Sequence, residues 1–200
     1  MKYTIDKDLS VSIKILRSEF IAFLYRVEDL KQAQQLLHEH QARYQNATHN
    51  CYAYVLGYNG EIQYYSDAGE PGGTAGKPIL NSLLRNELSG VLAVVTRYFG
   101  GIKLGVKGLI EAYSQVTSEA IASAGLVEYQ KYLRLRLKTS YSYLEGIRHQ
   151  LEKYHAEELE VQYAEKVQLK IKIPEEEYQE LMEFLDGYKA LNKLVYFLEE

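Results

Sequence analysis

The last third of the chain switches repeatedly between two hydrophobic periods, and this restricts the fold more than any other feature. Leu133, Leu135 and Leu137 alternate with Arg134, Arg136 and Lys138, the period of a half-buried strand. Leu144, Ile147, Leu151 and Tyr154 then recur at helical spacing. Val161 and Tyr163 predict a second strand, and Val167, Leu169, Ile171 and Ile173 a third. Pro174 is expected to open a helix with Glu175, Glu176 and Glu177 in its first turn, where the helix dipole favours acids. Tyr178, Leu181, Met182, Leu185 and Tyr188 form its apolar stripe, and Leu194 to Leu198 predict a closing strand. The order β-α-β-β-α-β is the ferredoxin-like pattern. One sheet face then packs on the helices and the other stays open.

The open face is expected to carry Arg134, Arg136 and Lys138 from the first strand, with Lys170 and Lys172 from the third. A hairpin centred on Glu165 places Glu160 opposite Lys170 and Glu158 opposite Lys172. Opposite charges facing across strands are ordinary sheet chemistry. No acidic strand is predicted beside the first strand's three cations. That leaves either a solvated face or one that meets RNA or an acidic partner.

The boundary is expected near Tyr129–Lys131, giving domains at 1–131 and 132–200. Residues 1–131 hold 13 basic and 13 acidic side chains, whereas 132–200 hold 10 and 14, so the whole net charge of −4 lies in the second domain. Eleven of the 14 glycines fall between Gly57 and Gly108, the mark of a loop-rich first domain. Its predicted elements are an alternating strand at Val11, Ile13 and Ile15, and a second from Phe20 to Val27. A helix over 28–43 carries Leu30, Ala33, Leu36 and Leu37 on one face. Cys51 to Leu56 and Ile62 to Tyr65 read as a hairpin around Asn59-Gly60. A short helix from Pro78 to Leu88, a buried strand from Val91 to Tyr98 and a long helix from Gly105 to about Ala124 follow. The long helix is read with Val106, Leu109, Ile110, Tyr113, Val116, Ala120, Ile121 and Ala124 inward. The class is α+β.

Composition excludes several kinds of protein. An apolar content of 46% is enough for a core. One cysteine makes no internal disulfide, zinc knuckle or CxxC redox motif. Val91 to Val95 is the longest aliphatic run, far short of a membrane span of ~20 residues. The first ten residues include two aspartates and no apolar core, so no signal peptide is expected and a cytoplasmic protein is. No cofactor, metal or membrane is called for.

Two glycine-rich segments are candidates for chemistry. Gly69-Glu70-Pro71-Gly72-Gly73-Thr74-Ala75-Gly76-Lys77-Pro78 invites comparison with a P-loop. Pro78 replaces the hydroxyl that would bind Mg²⁺, so nucleotide hydrolysis is excluded. Backbone N–H groups of Gly72, Gly73 and Gly76, with Lys77, remain able to hold an anion at a helix start; a tight turn with ordinary capping is the plain alternative. The second segment, Arg97-Tyr98-Phe99-Gly100-Gly101-Ile102-Lys103-Leu104-Gly105-Val106-Lys107-Gly108, does not match the dinucleotide fingerprint. From Leu88 to Ile110 it offers three cations, Arg97, Lys103 and Lys107, and no acid. Glycines at 100, 101 and 105 permit close approach, Tyr98 offers a stacking surface, and cations contact phosphate. His49 and Cys51 point the same way from a strand, but a metal would need further ligands. His49 with Asp67 and Glu70 are weak candidates for proton chemistry. His38, His40, His149 and His155 fall in polar helical stretches and read as surface residues.

Three strings carry a family resemblance: Ala47-Thr48-His49-Asn50-Cys51-Tyr52-Ala53, Ser66 through Leu80, and Val94 through Gly105. Together they resemble the IMPACT family, in its bacterial YigZ-type form, over about residues 15–125. Ala68 stands where many members carry a second aspartate. The resemblance implies a first domain with the ribosomal protein S5 domain 2-like fold. It implies a second domain similar to a domain of elongation factor G. Eukaryotic members carry an additional N-terminal module and restrain an amino-acid-starvation kinase by competing for its ribosome-associated activator, and that role is not expected here.

The combined expectation is a non-enzymatic, translation-associated factor that binds RNA or the ribosome. Its contact surface would combine Lys77, Arg97, Tyr98, Lys103 and Lys107 with Arg134, Arg136 and Lys138. The alternatives are a small-molecule enzyme holding a phosphorylated ligand at the two glycine loops, and a protein-interaction module with an acidic partner.

Overall fold

A computed structural model describes residues 3–199. The chain divides into two compact units, Met1–Tyr129 and Gln130–Glu200.

The first unit is built on a five-stranded antiparallel sheet. Its strands are β2 (Leu9–Ile15), β3 (Ser18–Arg26), β4 (His49–Leu56), β5 (Ile62–Ser66) and β6 (Val91–Tyr98), in the order β2-β3-β6-β4-β5. The central strand β6 explains the unbroken apolar run, because helices cover both of its faces. Val91, Ala93 and Val95 pack with α2 (Gly76–Arg85) and α3 (Gly105–Ser123). Leu92 and Val94 pack with α1 (Leu30–Arg43). Asp29 caps α1 by accepting from the Gln32 amide at 2.8 Å. A two-stranded sheet that the sequence reading missed joins β1 (Tyr3–Ile5) to β7 (Leu126–Glu128).

Two details of the first unit differ from expectation. In α3, Val106 and Ile110 are exposed, while Ala112 and Thr117 take the inward positions. His40 is buried, at 3% exposure. It continues the stripe of Ala33, Leu36 and Leu37, at i+7, i+4 and i+3, so the helical period already placed it inward. Thr96 donates its hydroxyl to Asn50 Oδ1 at 2.8 Å, so His40 Nε2–H donates to Thr96 Oγ1 at 2.8 Å. Nδ1 therefore accepts from the Tyr25 hydroxyl at 2.8 Å. Burial holds the imidazole pKa down to about 4.

The second unit runs β8 (Tyr132–Thr139), α4 (Tyr141–Lys153), β9 (Glu157–Tyr163), β10 (Val167–Pro174), α5 (Tyr178–Ala190) and β11 (Leu194–Glu199). The four strands pair antiparallel in the order β11-β8-β10-β9, which is the ferredoxin-like arrangement. Leu135, Leu137, Val167, Leu169, Ile171 and Ile173 form one core with Leu144, Ile147, Leu151, Leu181 and Leu185 of the helices. The acidic triplet Glu175–Glu177 forms a single 3₁₀ turn before α5 rather than its first α-helical turn.

Candidate nucleic-acid interface

Alternation along β8 and β10 sends the leucines and isoleucines under α4 and α5 and the cations to the other face. Arg134, Arg136 and Lys138 are exposed there, and Lys170 and Lys172 are half-buried. The register sets Arg134 opposite Lys172, Arg136 opposite Lys170 and Lys138 opposite Gln168. On the far side of β10, Lys170 faces Glu160, as the hairpin predicts. Lys172 faces Glu157 rather than Glu158, because a bulge shifts the pairing between Lys170 and Ile171. The Lys172 ammonium lies 3.1 Å from Glu157 Oε2 and 5.0 Å from the Tyr132 ring centre. The displaced Glu158 instead takes two hydrogen bonds from Arg148 of α4, at 2.8 and 3.1 Å. A groove on the open face is lined by Arg136, Glu160, Gln162, Gln168 and Lys170 above Leu169.

The first unit treats its candidates differently. Lys77 is exposed in the first turn of α2, and Lys103 is exposed in the loop before α3. Lys107 is exposed and 3.8 Å from Glu111, one helical turn on. Phe99, Ile102, Val106 and Ile110, close to Lys103 and Lys107 in sequence, are exposed. Tyr98 is half-buried.

Arg97 corrects the expectation of a surface cation. It continues the inward face of Val91, Ala93 and Val95, and only 5% of it is exposed. Its Nη1 donates to Glu70 Oε1 at 2.6 Å and its Nη2 to Ser18 Oγ at 3.4 Å. The guanidinium carbon lies 5.2 Å from the Phe20 ring centre and 5.4 Å from that of Phe99, which suits a cation held away from water. The same Glu70 oxygen accepts from the Tyr113 hydroxyl at 2.8 Å. His49 Nδ1–H donates to the Ala68 carbonyl at 2.9 Å, leaving Nε2 3.9 Å from Glu70. Cys51 donates to the Asp67 carbonyl at 2.9 Å, and burial raises its thiol pKa to about 12. Burial also raises the Tyr113 hydroxyl pKa above its ordinary value. These groups mostly satisfy one another. Among the described residues, no three His, Cys, Asp or Glu side chains are grouped to hold a metal ion.

The first glycine loop does hold an anion at a helix start, and that anion is part of the chain. Asp67 Oδ2 accepts from the Gly73 amide at 2.8 Å, and Oδ1 accepts from Ala75 and Gly76 at 2.9 Å each. Burial raises this carboxyl's pKa, but the three amide donors outweigh it and hold the pKa below the usual range. The amides expected for an external phosphate at Gly73 and Gly76 are therefore occupied. Gly76 has a second reason to be glycine: a Cβ there would lie 2.7 Å from the Ser66 backbone. At Gly100 a Cβ would lie 1.7 Å from the Arg17 carbonyl oxygen, so the chains cross in contact. Gly72, Gly101 and Gly105 are exposed with open space around them.

The Impact N-terminal domain family model matches residues 16–121. The chain belongs to the IMPACT family. The domain of unknown function DUF1949 matches residues 137–186. The IMPACT family member YvyE of Bacillus subtilis is 38% identical over 183 residues, 92% of this chain and 84% of that one. The family member YigZ of Escherichia coli is 32% identical over 168 residues, 83% of this chain and 82% of that one. A crystal structure of a hypothetical protein superposes with a TM-score of 0.75 at 27% identity, covering 100% of this chain and 97% of the other. The IMPACT matches thus extend over both units. Among the described residues, no helix is long and apolar enough to cross a membrane.

Proposed function

We propose that this IMPACT family member is a non-enzymatic, translation-associated factor that binds RNA or the ribosome, acting in translation regulation or a stress response. The observation that carries the reading is the open face of the second unit, with Arg134, Arg136, Lys138, Lys170 and Lys172 on two adjacent strands. Lys77, Lys103 and Lys107 of the first unit are further exposed phosphate contacts. Arg97 is not among them, because Glu70 and two aromatic rings enclose it. Filter binding to ribosomes and to single-stranded RNA tests the proposal. Binding at low salt that weakens steeply at moderate salt is expected. Glu replacements at Arg134, Arg136 and Lys138 should abolish it. No binding at low salt, or undiminished binding by that variant, would refute the reading.

One observation favours a protein partner at a different place. Phe99, Ile102, Val106 and Ile110 are exposed apolar residues close to Lys103 and Lys107 in sequence, a combination suited to an acidic, apolar segment. Loss of a pulled-down acidic protein on Val106→Glu, with RNA binding intact, would support this second reading.

A further inference from the structure

The charge on the open face is arranged in a narrow stripe. Successive rows across the sheet read Arg134–Lys172–Glu157, Arg136–Lys170–Glu160 and Lys138–Gln168–Gln162, from β8 through β10 to β9. Along β8 a cation recurs every second residue, about 6.8 Å at strand rise. That is one cation for each phosphate of an extended nucleotide chain. Across the sheet the cations occupy only two strands, about 5 Å apart. Beyond them, β9 presents Glu157 and Glu160. On the opposite side β11 sets the exposed Val195 beside Lys138 and Glu199 in register with Arg134, so an acidic position does flank the first strand's cations. The stripe thus has room for one phosphate backbone, bounded by the β9 carboxylates along one side and by the Glu199 position of β11 at the Arg134 end of the other. A duplex carries a second backbone that would approach those carboxylates.

The groove adds a feature that phosphate alone does not need. Gln162 and Gln168 face each other at its end; Gln162 gives one amide hydrogen to Glu160 Oε1 at 2.8 Å and keeps a second, and each offers a carbonyl acceptor. Base edges and ribose hydroxyls need both kinds of group, and they are accessible in unpaired RNA. Tyr132 lies exposed at the other end of the stripe, against Lys172, as a ring on which a base can stack.

We infer that this face takes a single extended strand of RNA along β8, and that Glu157 and Glu160 are specificity residues that turn duplex RNA away. The inference rests on the RNA-binding reading above and narrows its ligand. Arg134, Arg136 and Lys138 contact successive phosphates, and Gln162 and Gln168 meet the sugar and base edge of the nucleotide between.

The test is fluorescence anisotropy with the full chain, using one short mixed-sequence RNA as a single strand and as its duplex, over a salt series. The single strand is expected to bind at least about tenfold tighter. Its log affinity should fall with log salt at a slope of about −2 or steeper, the three β8 phosphate contacts supplying about 0.7 each. The variant E157Q/E160Q should raise duplex affinity more than single-strand affinity, cutting the preference below about threefold. The variant R134Q/R136Q/K138Q should weaken the single strand and flatten its slope. Equal binding of single strand and duplex by the unaltered chain overturns this inference and leaves the RNA-binding proposal standing. An equal rise for both ligands in E157Q/E160Q also overturns it. No binding of either RNA at low salt overturns both.

Discussion

Replacing Arg97 with Met tests whether the Glu70–Arg97 pair is structural. Both side chains are almost fully enclosed, at 6% and 3% side-chain exposure, and joined at 2.6 Å. Removing the guanidinium leaves Glu70 with the Tyr113 hydroxyl at 2.8 Å and His49 at 3.9 Å, and with no other cation in ion-pair reach among the described residues. Breaking a buried pair from one side costs about 3–5 kcal/mol, because a charge stays behind without compensation. Glu70→Leu should cost a similar amount, since it strands Arg97 between Phe20 and Phe99. The double variant R97M/E70L removes both charges; it leaves the Tyr113 hydroxyl proton without its acceptor and Ser18 Oγ with the Gly100 amide in place of Arg97, a loss of about 1–3 kcal/mol. The expected coupling between the two sites is therefore at least about 3 kcal/mol. Urea unfolding of the full chain, followed by circular dichroism and tyrosine fluorescence, gives the totals. Hydrogen exchange at the β6 amides assigns the loss to the first unit. Single replacements costing under about 1 kcal/mol, or a double variant as unstable as the sum of the singles, would refute the reasoning.

Two further outcomes follow from particular side chains. His40 is held neutral in the folded chain, with its pKa lowered from 6.5 to about 4. Above pH 6.5 both states are neutral and stability is flat. As pH falls from 6.5 toward 4 the unfolded chain gains a proton that the folded chain refuses, so stability drops by roughly 3 kcal/mol in all. Unfolding measured at pH 6.5 and 5 should show this slope, and His40→Gln should flatten it; an unchanged slope in the variant would show that other groups cause it. Ala68 sits at φ +44°, in the left-handed region that costs an L-residue about 1–2 kcal/mol. Ala68→Gly should therefore stabilise by up to about 1 kcal/mol in urea unfolding, and a destabilised variant would contradict the strain.

The second unit was readable because its signals are local. Leu133, Leu135 and Leu137, or Val167 through Ile173, declare their faces within a few residues, and six such signals in sequence leave few topologies. The bulge at Lys170/Ile171 was not readable, since it depends on how Glu157 and Glu158 divide between Lys172 and Arg148. The first unit hid more. Arg97 follows Val91, Ala93 and Val95 at period two, so its inward direction was on the page, yet its charge suggested the surface. What settled the matter was Glu70, 27 residues away, on a loop whose course no periodicity predicts. Asp67 is a similar case. A small-residue loop entering a helix reads as a vacancy for an anion. Only the folded loop shows that a carboxylate six to nine residues upstream fills it.

The two clusters of charge differ in what stability alone would select. In the first unit Arg97, Glu70 and Asp67 each have an opposite or polar partner close by, and the network holds the loop containing Glu70 to β6 and α3. In the second unit Arg134 faces Lys172, and Arg136 faces Lys170, in consecutive rows. Like charges directly opposite on a sheet disfavour the pairing, and one glutamate or threonine in β8 would relieve each row. Glu157 and Glu160 of β9 offset the lysines, and β11 sets Glu199 in register with Arg134. Three successive cations on one strand still concentrate positive charge along β8. Under the proposed RNA binding, a phosphate chain lying along that row would turn the remaining repulsion between like charges into attraction.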